Sequence, residues 1–77
     1  MTFKLLDTVV LVRDLPEHSL KAGDVGAIVE VHPDDGFEVE FVTASGRTGA
    51  LVTLRREDLR GVEDGDLISV RKLDQTA

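Results

Sequence analysis

Apolar and polar positions alternate through the middle of the chain with a period of two, the signature of strands covered on one face. Val25, Val29 and Val31 share the odd phase with Phe37, Val39 and Phe41, whereas Glu30, Glu38 and Glu40 fall on the even one. Bringing both odd sets to one core sets Val29 across from Val39, Glu30 across from Glu38 and Val31 across from Phe37. The connection His32-Pro33-Asp34-Asp35-Gly36 is then an odd-numbered hairpin loop, with Gly36 expected in the left-handed position. Ala44-Ser45-Gly46 signals a second hairpin with Gly46 at positive φ, which pairs Phe41 with Gly49.

Other segments fill in around this ribbon. Residues 5–12 are too continuously aliphatic and β-branched for a surface helix, and predict a first strand covered on both sides. Residues 13–24 contain the breakers Pro16 and Gly23, so they form a long loop pinned to the core by Leu15 and Leu20. A fourth strand is expected over 48–54. Residues 55–61 suit a single helical turn closed by Gly61, with Leu59 plugging one mouth of a small barrel. Ile68 and Val70 alternate with polar neighbours and predict a fifth strand over 66–73. The expected organisation is one all-β domain over residues 1–73 and a flexible tail over 74–77.

Five short antiparallel strands, a long first loop, two tight hairpins and one helical turn before the last strand resemble the Src-homology-3-like barrel. Leu20-Lys21-Ala22-Gly23-Asp24-Val25-Gly26-Ala27-Ile28-Val29-Glu30-Val31 is similar to the glycine-containing core of KOW-type barrels. That run, together with Leu5-Leu6-Asp7-Thr8-Val9-Val10-Leu11 and Phe37-Glu38-Val39-Glu40-Phe41, resembles a bacterial family known as domain of unknown function 4926, over roughly residues 3 to 60. The resemblance implies a fold and a bacterial setting. It brings no activity and no catalytic residues, because its motifs are glycines, turns and core aliphatics.

Composition narrows the class further. With 77 residues there is room for one core and little room for an internal substrate cavity. The start Met1-Thr2-Phe3-Lys4-Leu5 lacks the basic and apolar regions of a signal peptide, and the chain has no cysteine, so a cytoplasmic location is expected. Nine Lys and Arg against 15 Asp and Glu leave a net charge of −6, which repels phosphate backbones and favours basic partners.

Candidate chemistry is sparse. His18 and His32 have no spacing that makes a triad, and Asp34-Asp35 beside His32 is what a turn wants rather than a calcium loop. No catalytic, cofactor or metal residue is assigned. A nucleic-acid reading rests on Arg47, Arg55, Arg56 and Arg60 alone, without Tyr or Trp for stacking. The register points instead to a docking face. Glu30 opposite Glu38 places like charges side by side, which costs stability unless a cation neutralises them. With Ile28, Glu40, Val42, Ala50 and Val52 expected on the same outward face, the partner-binding set is Ile28, Glu30, Glu38, Glu40, Val42 and Val52. The expected function is a non-enzymatic protein-interaction module that binds a basic protein or a second copy of itself. The alternatives are an antitoxin or immunity-type protein that covers a basic toxin, and a nucleic-acid-binding KOW-like barrel.

Overall fold

A computed structural model describes residues 2–73. The tail expected at 74–77 lies outside the described residues. The strands are β1 (Thr8–Leu11), β2 (Val25–Val31), β3 (Gly36–Val42), β4 (Thr48–Arg55) and β5 (Leu59–Gly61). They form one antiparallel sheet in the order β4-β3-β2-β1-β5, the all-β, five-stranded architecture expected. Inward side chains from all five strands meet in one cluster that includes Val9, Leu11, Ile28, Phe37, Val39, Phe41, Val52, Leu54 and Leu59, so the sheet curls around a single core. Leu15 and Leu20, the two loop anchors, are buried in that cluster and bridge to each other around the 3₁₀ turn Pro16–His18.

Four expectations about the strands need correction. The first concerns β2, where Ile28 rather than Val29 faces the core. Ile28 pairs with Val39, Glu30 with Glu38, and Val29 is the extra residue of a bulge between them. One residue inserted into a ladder inverts the facing of the residues on one side of it. Ile28 is therefore fully buried (0% exposed) and Val29 stands at the surface. The second lies at the β3–β4 end. Phe41 pairs with Ala50 rather than with Gly49, which falls at a register shift before Val42 meets Thr48. This places Val52 inward (7% exposed) and Leu51 outward.

The third is the last strand. β5 follows the 3₁₀ turn Arg56–Asp58 directly and pairs Leu59, Arg60 and Gly61 with Leu11, Val10 and Val9, taking the free edge of β1. Leu59 is buried as expected, but residues 66–73 join no ladder. Asp66 explains the diversion. Its carboxylate accepts the Glu63 amide at 2.7 Å and the Arg60 guanidinium at 2.8 and 3.0 Å, which turns the chain away from the sheet just after β5. The fourth is the start of β1. Asp7 accepts the Lys4 amide at 2.9 Å in a turn that holds Leu6 at φ 71°, so the strand begins at Thr8 and leaves Leu5 and Leu6 exposed.

One glycine is required by close approach. A Cβ at Gly26 would lie 2.7 Å from Val39 Cγ1 and 3.0 Å from the Glu40 carbonyl oxygen, so β2 sits against β3 only because that position has no side chain. Of the two turn glycines, Gly46 has the expected positive φ of 89°. At the β2–β3 turn the left-handed residue is Asp35 (φ 68°) instead of Gly36. Aspartate tolerates that region, and Asp35 is fixed there by two hydrogen bonds from Arg56, at 2.7 and 3.2 Å.

Candidate functional site

The outward side of the β2–β4 ribbon carries the feature the alternation pointed to. Glu30 and Glu38 are directly opposed on neighbouring strands, and Glu40 follows on the same face of β3 opposite Ala27 and Leu51. Two of these carboxylates are held from β4. Thr53, the cross-strand partner of Glu38, donates its hydroxyl to that carboxylate, and Thr48 donates to Glu40. Glu38 and Glu40 are thus oriented and half-buried, whereas Glu30 is exposed. His32 stands beside the facing pair, with Nε2 3.6 Å from Glu38 Oε1 and Nδ1 4.0 Å from Glu30 Oε2. When protonated, that imidazole is a cation within reach of both.

Apolar groups frame the acids. Val29, Val42 and Leu51 are exposed on or beside these strands. Of the six expected partner-binding residues, the structure brings Glu30, Glu38, Glu40 and Val42 to the surface. Ile28 and Val52 are removed to the core by the two register shifts. Thr48, Leu51, Thr53 and His32 were missed. Leu51 and Thr53 follow from the even–odd alternation of 48–54 once Phe41 is paired with Ala50, whereas Thr48 reaches the outward side only through the register shift at Gly49. Beyond the turn, an open depression of about 690 Å³ is lined by His32, Asp34, Asp35, Thr53, Arg55 and Glu57, among others.

The cations of the chain are largely engaged elsewhere. Arg56 is bound to Asp35 at 2.7 Å, Arg60 to Asp66 at 2.8 Å, Arg13 to Asp58 at 2.7 Å, and Arg71 to Asp24. Of the four arginines considered for nucleic acid, Arg56 and Arg60 are therefore neutralised by their own aspartates. Asp58 is a buried carboxylate. Burial alone would raise its pKa, but the Arg13 guanidinium and the Arg55 amide at 2.9 Å outweigh that and hold it below the ordinary carboxylate range. The same balance, burial against Arg71 and the Lys21 amide, lowers Asp24. Arg60, helped by the Glu63 amide, brings Asp66 down from the ordinary 3.8 to about 2.

These shifts set an acid limit. A carboxylate whose folded value is depressed contributes stability that is complete above its unfolded value and disappears as pH falls through the folded one. For Asp66 the window runs from 3.8 down to about 2, and Asp24, Asp35 and Asp58 act in the same sense. The melting temperature should hold from neutrality to about pH 4 and fall below it, because ordinary carboxylates begin to protonate there. Thermal melts across that range check it, and Asp66→Asn should show a shallower acid slope than the unaltered chain.

Among the described residues, no group of three or more His, Asp or Glu side chains could hold a metal ion, and no helix is long and apolar enough to cross a membrane. No curated protein and no solved structure matches the chain. A family model does, over residues 5–61, from just before β1 to the last residue of β5. With its whole sheet inside that span, the chain belongs to the family described as Domain of unknown function (DUF4926).

Proposed function

We propose that this chain is a non-enzymatic, Src-homology-3-like interaction module that binds a basic protein partner through the outer face of β2, β3 and β4. The observation that carries this reading is the facing pair Glu30 and Glu38, with Glu40 beside it on β3. Directly opposed like charges destabilise a sheet, and an incoming Lys or Arg would convert that cost into binding. Orientation of Glu38 and Glu40 by Thr53 and Thr48 reduces what a partner must order on arrival. Val29, Val42 and Leu51 supply the apolar contacts that such an interface also needs. The strand order, with the last strand beside the first and a 3₁₀ turn leading into it, favours the Src-homology-3-like and KOW-like comparison. A bacterial cytoplasm is the setting that the absence of cysteine and the family resemblance favour.

Charge reversal tests the face. Glu30→Lys alone would set an ammonium group opposite Glu38, and should leave the fold as stable or up to about 1 kcal/mol more stable. Combined with Glu38→Lys, it should abolish capture of protein from an extract of the native cell. A double variant that folds normally and captures the same proteins would remove this surface from consideration. Bound nucleic acid whose retention falls steeply with salt and requires Arg47 and Arg55 would replace the reading with the KOW-like alternative.

A further inference from the structure

After β5 the chain forms an arm, residues 62–73, beyond the span of the family match. It is tied at two places. Asp66 is held by Arg60, and Arg71 donates to Asp24 Oδ1 at 2.9 Å and to the Ser19 carbonyl at 3.0 Å, with Leu73 packed against the core cluster. Between these ties run Leu67, Ile68, Ser69 and Val70. Leu67 is 93% exposed, Ile68 69% and Val70 97%. Among the described residues, no backbone hydrogen bond joins this run to the rest of the molecule. An aliphatic, β-branched run with unpaired backbone is what strand addition uses.

We propose that residues 66–72 pair antiparallel with the same segment of a second copy of this chain, about a two-fold axis at Ser69. The surface involved is separate from the Glu30–Glu38 face. Symmetry limits the register severely. Residues directly opposed across an antiparallel pair point to the same side of the sheet, and a two-fold axis preserves that side, so one residue must face its own copy. With Ser69 at the axis, Ile68 meets Val70 twice, Asp66, whose carboxylate also holds Arg60, lies opposite Lys72 twice, and Leu67 lies along the aliphatic stem of Arg71. Apolar groups occupy the centre and opposite charges the ends. Centring on Ile68 would instead oppose Asp66 to Val70, and centring on Val70 would require Leu73, which is already packed on the core. The charge pattern of this segment is complementary to its own reverse, which is why the occupant is a second copy.

Seven residues a side bury well under the roughly 1,200 Å² of a stable complex, so the association is transient and suits covalent trapping. The chain has no cysteine, so a single introduced one reports on itself alone. Ser69→Cys should form an intermolecular disulfide under mild oxidation at least tenfold faster than Leu67→Cys. Opposed Cα atoms at the axis lie within about 4.4–6.8 Å, the disulfide range, whereas the two 67 positions are offset by four residues, about 13 Å along the strand. Both side chains are exposed, so neither change threatens the fold. Lys72→Glu in the Ser69→Cys background should slow the reaction several-fold. Equal rates at 69 and 67, faster reaction at 67, cross-linking at neither, or insensitivity to Lys72→Glu would each overturn the proposal, including the case in which the arm pairs with a different protein.

Discussion

Phe37→Ala is expected to unfold most of the population. Phe37 is among the largest fully buried side chains, and its ring meets Phe3 edge-to-face with centroids 5.6 Å apart. The Arg56 guanidinium carbon lies 5.7 Å from the centre of each ring. Truncating a buried phenylalanine costs about 3–5 kcal/mol, counting lost transfer energy and the cavity left behind. A single core in a chain this small rarely supplies more than about 3–5 kcal/mol of net stability, so a loss of that size leaves little or nothing. The same change also frees Phe3 and removes a ring from Arg56, which otherwise helps hold Asp35 in its left-handed turn. Urea denaturation followed by circular dichroism should show little or no folded baseline for Phe37→Ala. Phe37→Leu should retain a cooperative transition. An unaltered midpoint for the alanine variant would mean that the β2–β4 core is not the centre of stability.

The second large effect comes from adding a single methyl group. Gly26→Ala places a carbon 2.7 Å from Val39 Cγ1 and 3.0 Å from both the Glu40 carbonyl oxygen and Phe41 Cε1. None of these neighbours yields cheaply. Val39 is a β-branched side chain with little χ1 freedom, the carbonyl belongs to a residue paired in the β2–β3 ladder, and Phe41 is in the core. Overpacking of this kind costs about 1–3 kcal/mol, and Gly26→Val should cost more. The penalty is steric, because the Gly26 backbone is not in the left-handed region. Gly46→Ala offers the contrast. Nothing lies within 4 Å of its added carbon, and its cost comes from the positive φ alone. Comparative thermal melts should show a larger loss from Gly26→Val than from Gly46→Ala, and the reverse order would contradict the close approach of β2 to β3.

Much of the architecture was legible because the chain states it twice, in periodicity and in turn residues. Phe37, Val39 and Phe41 alternate without interruption against Glu38 and Glu40, and all three are buried. The pairing of Glu30 with Glu38, the central feature of the candidate face, was legible from setting Val31 across from Phe37, an alignment that the turn end of the β2–β3 ladder keeps. Bulges were what the pattern hid. Val29 and Ile28 are both aliphatic, so nothing in their composition distinguishes the one that faces inward, and the decision falls to the ladder on either side. Gly49 concealed a second shift in the same way, exchanging Leu51 for Val52 on the outward face. Residues 66–73 alternate well enough for a strand, but alternation describes a face and supplies no partner. Leu59, Arg60 and Gly61, arriving first at the edge of β1, took the place that Ile68 and Val70 would have needed.

The pairing of β1 with β5 has a kinetic meaning. Val9, Val10 and Leu11 must wait for Leu59, Arg60 and Gly61, which come from the far end of the family segment. The three-strand meander from Val25 to Arg55 is joined by short hairpins and can zip locally, whereas this last ladder closes the longest loop in the sheet and bears most of the entropic delay. A nascent chain released before its sixty-first residue would hold a finished ribbon beside a first strand with one side still open.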